Sequence, residues 1–144
     1  MTNLPDETQY RFVAVLNKKG ELGRLMNALG HMTAGLAGGH HDSETFSFLQ
    51  YQDADGTIHP NISHFPFIVL RADNSNQIRT LRNELIAQSL PFSDFTTTMT
   101  IGSSQEQQDA TKSTPEAELE YLGVCTFADT ETLKTLTKRF QLFK

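Results

Sequence analysis

The sequence predicts a three-layer α/β sandwich built on a mixed sheet, and three observations carry that prediction. Phe12–Leu16, Phe65–Leu70 and Tyr121–Phe127 are largely apolar runs, as strands covered on both faces require. Between them, apolar residues recur at three- and four-residue spacing, the mark of helices with one buried face. Strands alternating with helices imply crossover connections and helices on both sides of a sheet.

The elements follow in order. Residues 1–8 form a lead-in, and Phe12-Val13-Ala14-Val15-Leu16 is the first central strand. Asn17-Lys18-Lys19-Gly20 turns the chain into a helix that Gly23 opens, with Leu22, Leu25, Leu29, Met32 and Leu36 as its buried stripe. Gly35, Gly38 and Gly39 end it, since glycine accepts the left-handed conformation of helix termini. The alternating run from Thr45 to Gln52 predicts a strand with one wetter face. Asp53-Ala54-Asp55-Gly56 is turn chemistry, and Thr57–Pro60 returns as a short arm. This excursion is expected to pack beside the main sheet, with Ile62 and Phe65 as its anchors. Phe65–Leu70 is the second central strand, followed by a helix capped by Asp73 or Ser75, with Ile78, Leu81, Leu85 and Ile86 inward. Leu90-Pro91 stops that helix, and Phe92–Phe95 is a short strand ending in the hydroxyl-rich Thr96–Gly102. Ser103–Ser113 is polar throughout and is expected as an exposed loop or loose helix. Thr114-Pro115-Glu116 signals a helix start, with proline at the first helical position. After Tyr121–Phe127, Asp129 or Thr130 caps a final helix that turns Leu133, Leu136 and Phe140 inward.

Composition bounds the function. The 144 residues make one domain, residues 1–144, with 38% hydrophobic and 20% charged content. No apolar run approaches the roughly 20 residues of a membrane span, and MTNLPDETQY lacks the regions of a secretory signal. A single cysteine, Cys125, excludes an internal disulfide and a cysteine zinc cluster. These features point to the cytoplasm. The net charge of −5 opposes broad phosphate binding.

Motif searches narrow the chemistry further. His40, His41, His59 and His64 follow no metal-ligand spacing, so no metal is expected. Ser63-His64 lies outside any G-x-S-x-G elbow, and Gly20–Gly23 matches neither phosphate-loop spacing. His31 is the informative histidine. It follows Asn27 by four residues, sharing a helix surface with Asn27 and Arg24 beside the buried stripe. A neutral imidazole there could orient a water or donate a proton. Its position after a buried strand places it where ligands gather in open α/β sheets, with Thr96–Thr98 closing the mouth. A histidine bonded to a backbone carbonyl is the bland alternative.

The segments VLNKKGELGRLMNALGHMTAGL, YQDADGTIHPNISHFPFIVLRAD, TTTMTIG and EAELEYLGVCTFAD span nearly the whole chain in order. They resemble the family called domain of unknown function 2000, which is similar in fold to type II peptidyl-tRNA hydrolases. The resemblance implies a peptidyl-tRNA hydrolase II-like domain, with a four-stranded mixed sheet between helix layers. Because the related hydrolases dimerise, it also implies a homodimer. Type II hydrolases carry Gly-Lys at the helix start, a glutamine inside the helix and a histidine one turn later. Aligned from Gly23, this chain has Arg24 for the lysine and Ala28 for the glutamine, and His31 matches. The hydrolases' Asp-x-Gly-x-Thr segment becomes Asp94–Thr98, without its glycine.

These departures imply a small-molecule or peptide binding module without peptidyl-tRNA hydrolase activity and without a cofactor. Its ligand is expected where the Asn17–Gly23 turn meets the Thr96–Met99 segment, against Asn17, Gly23, Arg24, Asn27, Thr96 and Met99. One alternative is a hydrolase of an RNA-linked or small acyl ester, using His31 with Thr98. A further alternative is non-catalytic binding of tRNA or other RNA through Lys18, Lys19 and Arg24.

Overall fold

The computed structural model describes residues 4–39 and 43–144, so His40 and His41, two of the histidines weighed above as metal ligands, lie outside the described residues. Strand β1 (Tyr10–Asn17) is the centre of a mixed sheet. On one side it pairs in parallel with β4 (Phe67–Ala72), and on the other it runs antiparallel to β6 (Tyr121–Asp129). Beyond β6 lies β5 (Phe92–Thr96), and beyond β4 lies β7 (Gln141–Leu142), giving the order β5-β6-β1-β4-β7.

The main sheet therefore has five strands, not four. The fifth comes from residues past the final helix α4 (Thr130–Thr137), which is shorter than the sequence pattern suggested. Phe140 is buried, as expected, but from beyond the helix end. The outer edge of β4 offers unpaired backbone groups, and the chain end satisfies them: Leu70 pairs with Leu142 and Arg71 with Gln141.

Alternation along β1 sorts the core into two. Phe12, Ala14 and Leu16 face helix α1 (Leu22–Gly39), whose Leu25, Ala28, Met32 and Leu36 are buried. Val13 and Val15 face α2 (Ser75–Ala87) and α4, through Ile78, Leu81, Leu85, Leu133 and Leu136. That is the expected three-layer arrangement. One expected member of the α1 stripe, Leu22, is 61% exposed, whereas Ala28, outside the expected stripe, is buried. At Gly123 a Cβ would stand 2.8 Å from Met32 Cε and 2.9 Å from Leu16 Cδ2. A side chain here would push the ends of Met32 and Leu16 aside, so glycine suits the contact between α1 and β6.

Strands β2 (Phe48–Gln52) and β3 (Ile58–Ser63) form a separate two-stranded antiparallel arm. The Asp53 carboxylate closes its turn by accepting the N–H groups of Asp55 and Thr57, and Gly56 adopts φ 87°. The arm's base is anchored by Phe65, as expected, and by Phe46, both packed against Phe127. Ile62 is not an anchor. It is 56% exposed, because the arm has left the sheet before this residue is reached.

Helix ends differ from expectation in detail. Asn74, not Asp73 or Ser75, caps α2 by accepting the Gln77 N–H. Asp73 instead pairs with Lys18 Nζ at 2.9 Å, and the Ser75 hydroxyl accepts the Tyr121 N–H. The polar stretch after Gly102 is a regular helix, α3 (Ser104–Lys112), started by a reciprocal capping box between Ser103 and Glu106. Pro115 precedes a single 3-10 turn, Glu116–Glu118, instead of opening an α-helix.

Candidate functional site

The antiparallel β6 between β1 and β5 brings the carboxyl ends of those two outer strands to the same edge of the sheet. From β1 the chain enters α1, and from β5 it enters a 3-10 turn, Thr97–Thr100, and then α3. A cleft of about 320 Å³ lies between these two exits. One wall is the exposed side of α1, presenting Gly23, Arg24, Asn27 and His31. The other wall is Phe95, Met99, Thr100 and Gln107.

Each side chain in the first wall is placed by the helix phase. With Leu25, Ala28 and Met32 turned to the sheet, Arg24, Asn27 and His31 stand on the adjoining stripe. The His31 ring lies 5.8 Å from that of Phe95, tilted by 31°. His31 is therefore exposed on the cleft and not enclosed by the core. Arg24 Nη1 donates to the Thr100 hydroxyl at 3.3 Å, tying the two walls together across the cleft. Arg24 has no carboxylate partner among the described residues, whereas Lys18, Arg79, Arg82 and Arg139 are all ion-paired. The lining contains no Asp or Glu, so the cleft carries local positive charge in a chain of net charge −5.

The α1 wall continues along a shallow depression formed by Met26, Gly30 and Ala34, which shares Asn27 and His31 with the cleft. At Gly23 and Gly30 an added Cβ would meet nothing within 4 Å. Their missing side chains widen this surface and relieve no packing clash.

Three of the expected residues lie elsewhere. Asn17 is 1% exposed and serves the fold: its Nδ2 donates to the Tyr121 carbonyl, and its Oδ1 accepts the Lys19 N–H. It borders a different depression, with Lys19, Asn74 and Arg79, at the ends of the parallel strands β1 and β4. Thr96 is also buried. Its hydroxyl, that of Thr98 and that of Thr111 form a chain with 2.7 Å at each step. Thr111 donates its proton to the Gln107 carbonyl, so Thr98 must donate to Thr111 and accept from Thr96. The Thr98 hydroxyl pins α3 to the preceding turn. Thr98 does not line the cleft with His31.

Phe95, Thr100, Gln107 and Gly30 belong to this surface and were not foreseen. Gln107 had a legible signal, the Ser103-x-x-Glu106 capping signature that starts its helix. The two other described histidines, His59 and His64, have local contacts. The His59 ring bonds Asp53 Oδ2 at 3.1 Å, and His64 Nε2 donates to the Pro5 carbonyl at 2.9 Å. Among the described residues, no three His, Cys, Asp or Glu side chains gather as a metal site. Burial pushes the Cys125 thiol up to about 12, which leaves it unreactive as a nucleophile. Among the described residues, no helix is long and apolar enough to cross a membrane.

Fold and cleft together define a mixed α/β domain with a cationic groove beside its edge strand β5. The chain belongs to the family described as protein of unknown function DUF2000, which matches residues 10–144. A solved structure of a protein of unknown function from Agrobacterium tumefaciens strain C58 shares the fold. Its TM-score is 0.79, covering 94% of this chain and 98% of that one, at 15% identity. No curated protein matches the chain.

Proposed function

We propose that the chain is a cytoplasmic binding module that holds a small anionic molecule, or the carboxylate end of a peptide, in the cleft between α1 and α3. The observation that carries this reading is Arg24. Among the described residues its guanidinium has no carboxylate partner, and it donates to the neutral Thr100 hydroxyl. A planar fork of donors in this setting suits a carboxylate or phosphate oxygen pair. Asn27 and His31 supply further polar contacts one turn along the helix, and Phe95 and Met99 supply apolar surface.

The likeness to type II peptidyl-tRNA hydrolases enters this reading as a shared scaffold, with His31 on the corresponding helix. Ester hydrolysis would need a nucleophile or an activated water near His31. The Thr98 proton is committed to Thr111, which favours binding over turnover through that hydroxyl.

A thermal-melt screen with small carboxylates, phosphate monoesters and short peptides tests the reading. A native-state ligand raises the melting temperature by mass action. The expected hit stabilises the wild type and not Arg24→Ala. Hits that stabilise both proteins equally would place the ligand elsewhere, and release of alcohol from an acyl ester would restore the hydrolase reading.

A further inference from the structure

The β2–β3 arm stands apart from the main sheet, and two-stranded hairpins on their own are marginal in water. Apolar side chains are exposed along it: Phe48, Tyr51, Ile58 and Ile62 are each about half accessible. Backbone direction identifies the free edge. The Ser47 carbonyl accepts the His64 N–H, and the Asp53 N–H donates to the Thr57 carbonyl. Odd-numbered residues of β2 therefore point their N–H and C=O groups at β3, and Phe48, Gln50 and Gln52 point theirs outward.

Edge strands of this kind are commonly blunted by lysine, proline or inward charges. The edge of β3 carries Pro60, but β2 reads FLQYQ, with no charge and no proline. From these observations we infer that β2 pairs antiparallel with β2 of a second copy of this chain, on a two-fold axis at Gln50. The electrostatics select this partner. A two-fold interface sets a surface patch against itself, so a patch of a single sign repels its own copy, and in a chain of net charge −5 acidic patches are disfavoured there. The FLQYQ edge has no charge to repel.

The register is also self-complementary. Centred on Gln50, Phe48 and Gln52 each exchange backbone bonds with the other's counterpart, and Gln50 exchanges them with itself. On the opposite face Leu49 lies against the second copy's Tyr51, an aliphatic–aromatic cross-strand pair. The assembly is a continuous four-stranded sheet linking two arms.

Sedimentation of the full chain across the micromolar to sub-millimolar range tests this. The wild type is expected to form dimers. Gln50→Pro removes one outward N–H without touching the β2–β3 ladder, and Gln50→Lys places like charges on the axis. Both variants should sediment as monomers, with melting curves at low concentration matching the wild type. A Gln50→Cys variant supplies a second reading. Hydrogen-bonded antiparallel pairs sit about 5.5 Å apart at Cα, within disulfide reach, and the native Cys125 is buried. Mild oxidation should yield covalent dimers for Gln50→Cys, and none for Asn61→Cys on β3. A monomeric wild type throughout, or dimers that persist in both Gln50→Pro and Gln50→Lys, would overturn the inference. So would covalent dimers formed equally by both cysteine variants.

Discussion

The imidazole of His31 and the ring of Phe95 face each other at 5.8 Å across the mouth between α1 and β5. Leu25, Ala28, Met32 and Leu36 fill the buried side of α1, and His31 touches the core only at the rim, through Phe95. His31→Ala should change stability by less than about 1 kcal/mol, as for other exposed positions. Ligand binding should fall clearly in the same variant. Denaturant unfolding and ligand titration on one preparation check both statements.

Gly30 offers a sharper separation of stability from function. It lies in the middle of α1, exposed, and an added Cβ would meet nothing within 4 Å. Gly30→Ala should therefore stabilise the fold by about 0.5–1 kcal/mol, through helix propensity and a less flexible unfolded chain. The new methyl group narrows the surface beside His31, so binding should weaken as the melting temperature rises. A variant that gains both stability and affinity would show that the glycine is not there for the ligand.

Asn17 provides the opposite case. Its side chain is buried and bonded to the Tyr121 carbonyl and the Lys19 N–H. Asn17→Ala strands those partners and should cost about 1–3 kcal/mol. The cleft response to ligand should survive, measured at a temperature where the variant is still folded.

The pH dependence follows from groups whose titration the fold moves. The Glu116 carboxyl is held below its ordinary 4.5 by the Arg79 guanidinium and then by the Tyr121 hydroxyl. The Asp129 carboxyl is held below 3.8 by the N–H and hydroxyl of Thr132 at the start of α4. Carboxyls depressed in the folded state stabilise it above their unfolded values, and that stability is lost as pH falls through the folded values. The Tyr121 hydroxyl is pushed up to about 12 by burial and then by its bond to Glu116. Its contribution is complete below its ordinary 10.0 and is lost as pH rises toward 12. Melting temperature should fall at both extremes. Tyr121→Phe should flatten the alkaline limb and, by removing the hydroxyl that helps hold the Glu116 carboxyl down, weaken the Glu116 share of the acid limb while leaving the Asp129 share in place.

Much of the fold was legible because its strands are buried on both faces. Phe12–Leu16 declares itself by unbroken hydrophobicity, Tyr121–Phe127 by being largely apolar, and the α1 stripe by its period. What escaped the sequence depends on long-range pairing. Gln141–Leu142 is a strand only because the β4 edge lies beside it, and nothing local marks it. Ile62 looked like an anchor because apolar alternation cannot tell an arm in solvent from a strand on a core. At the site, helix periodicity found Arg24, Asn27 and His31 together. The opposite wall mixes residues from β5, the 3-10 turn and α3, so no local pattern could separate Thr100 from Thr98.

Chemical-shift mapping of the amide spectrum, with a small carboxylate or phosphate monoester as titrant, tests the binding cleft most directly. The expected result is a set of saturable shifts at Gly23, Arg24, Asn27, His31, Thr100 and Gln107, lost in Arg24→Ala. Saturable shifts confined to the Asn17, Asn74 and Arg79 depression, or shifts unchanged by Arg24→Ala, would contradict it.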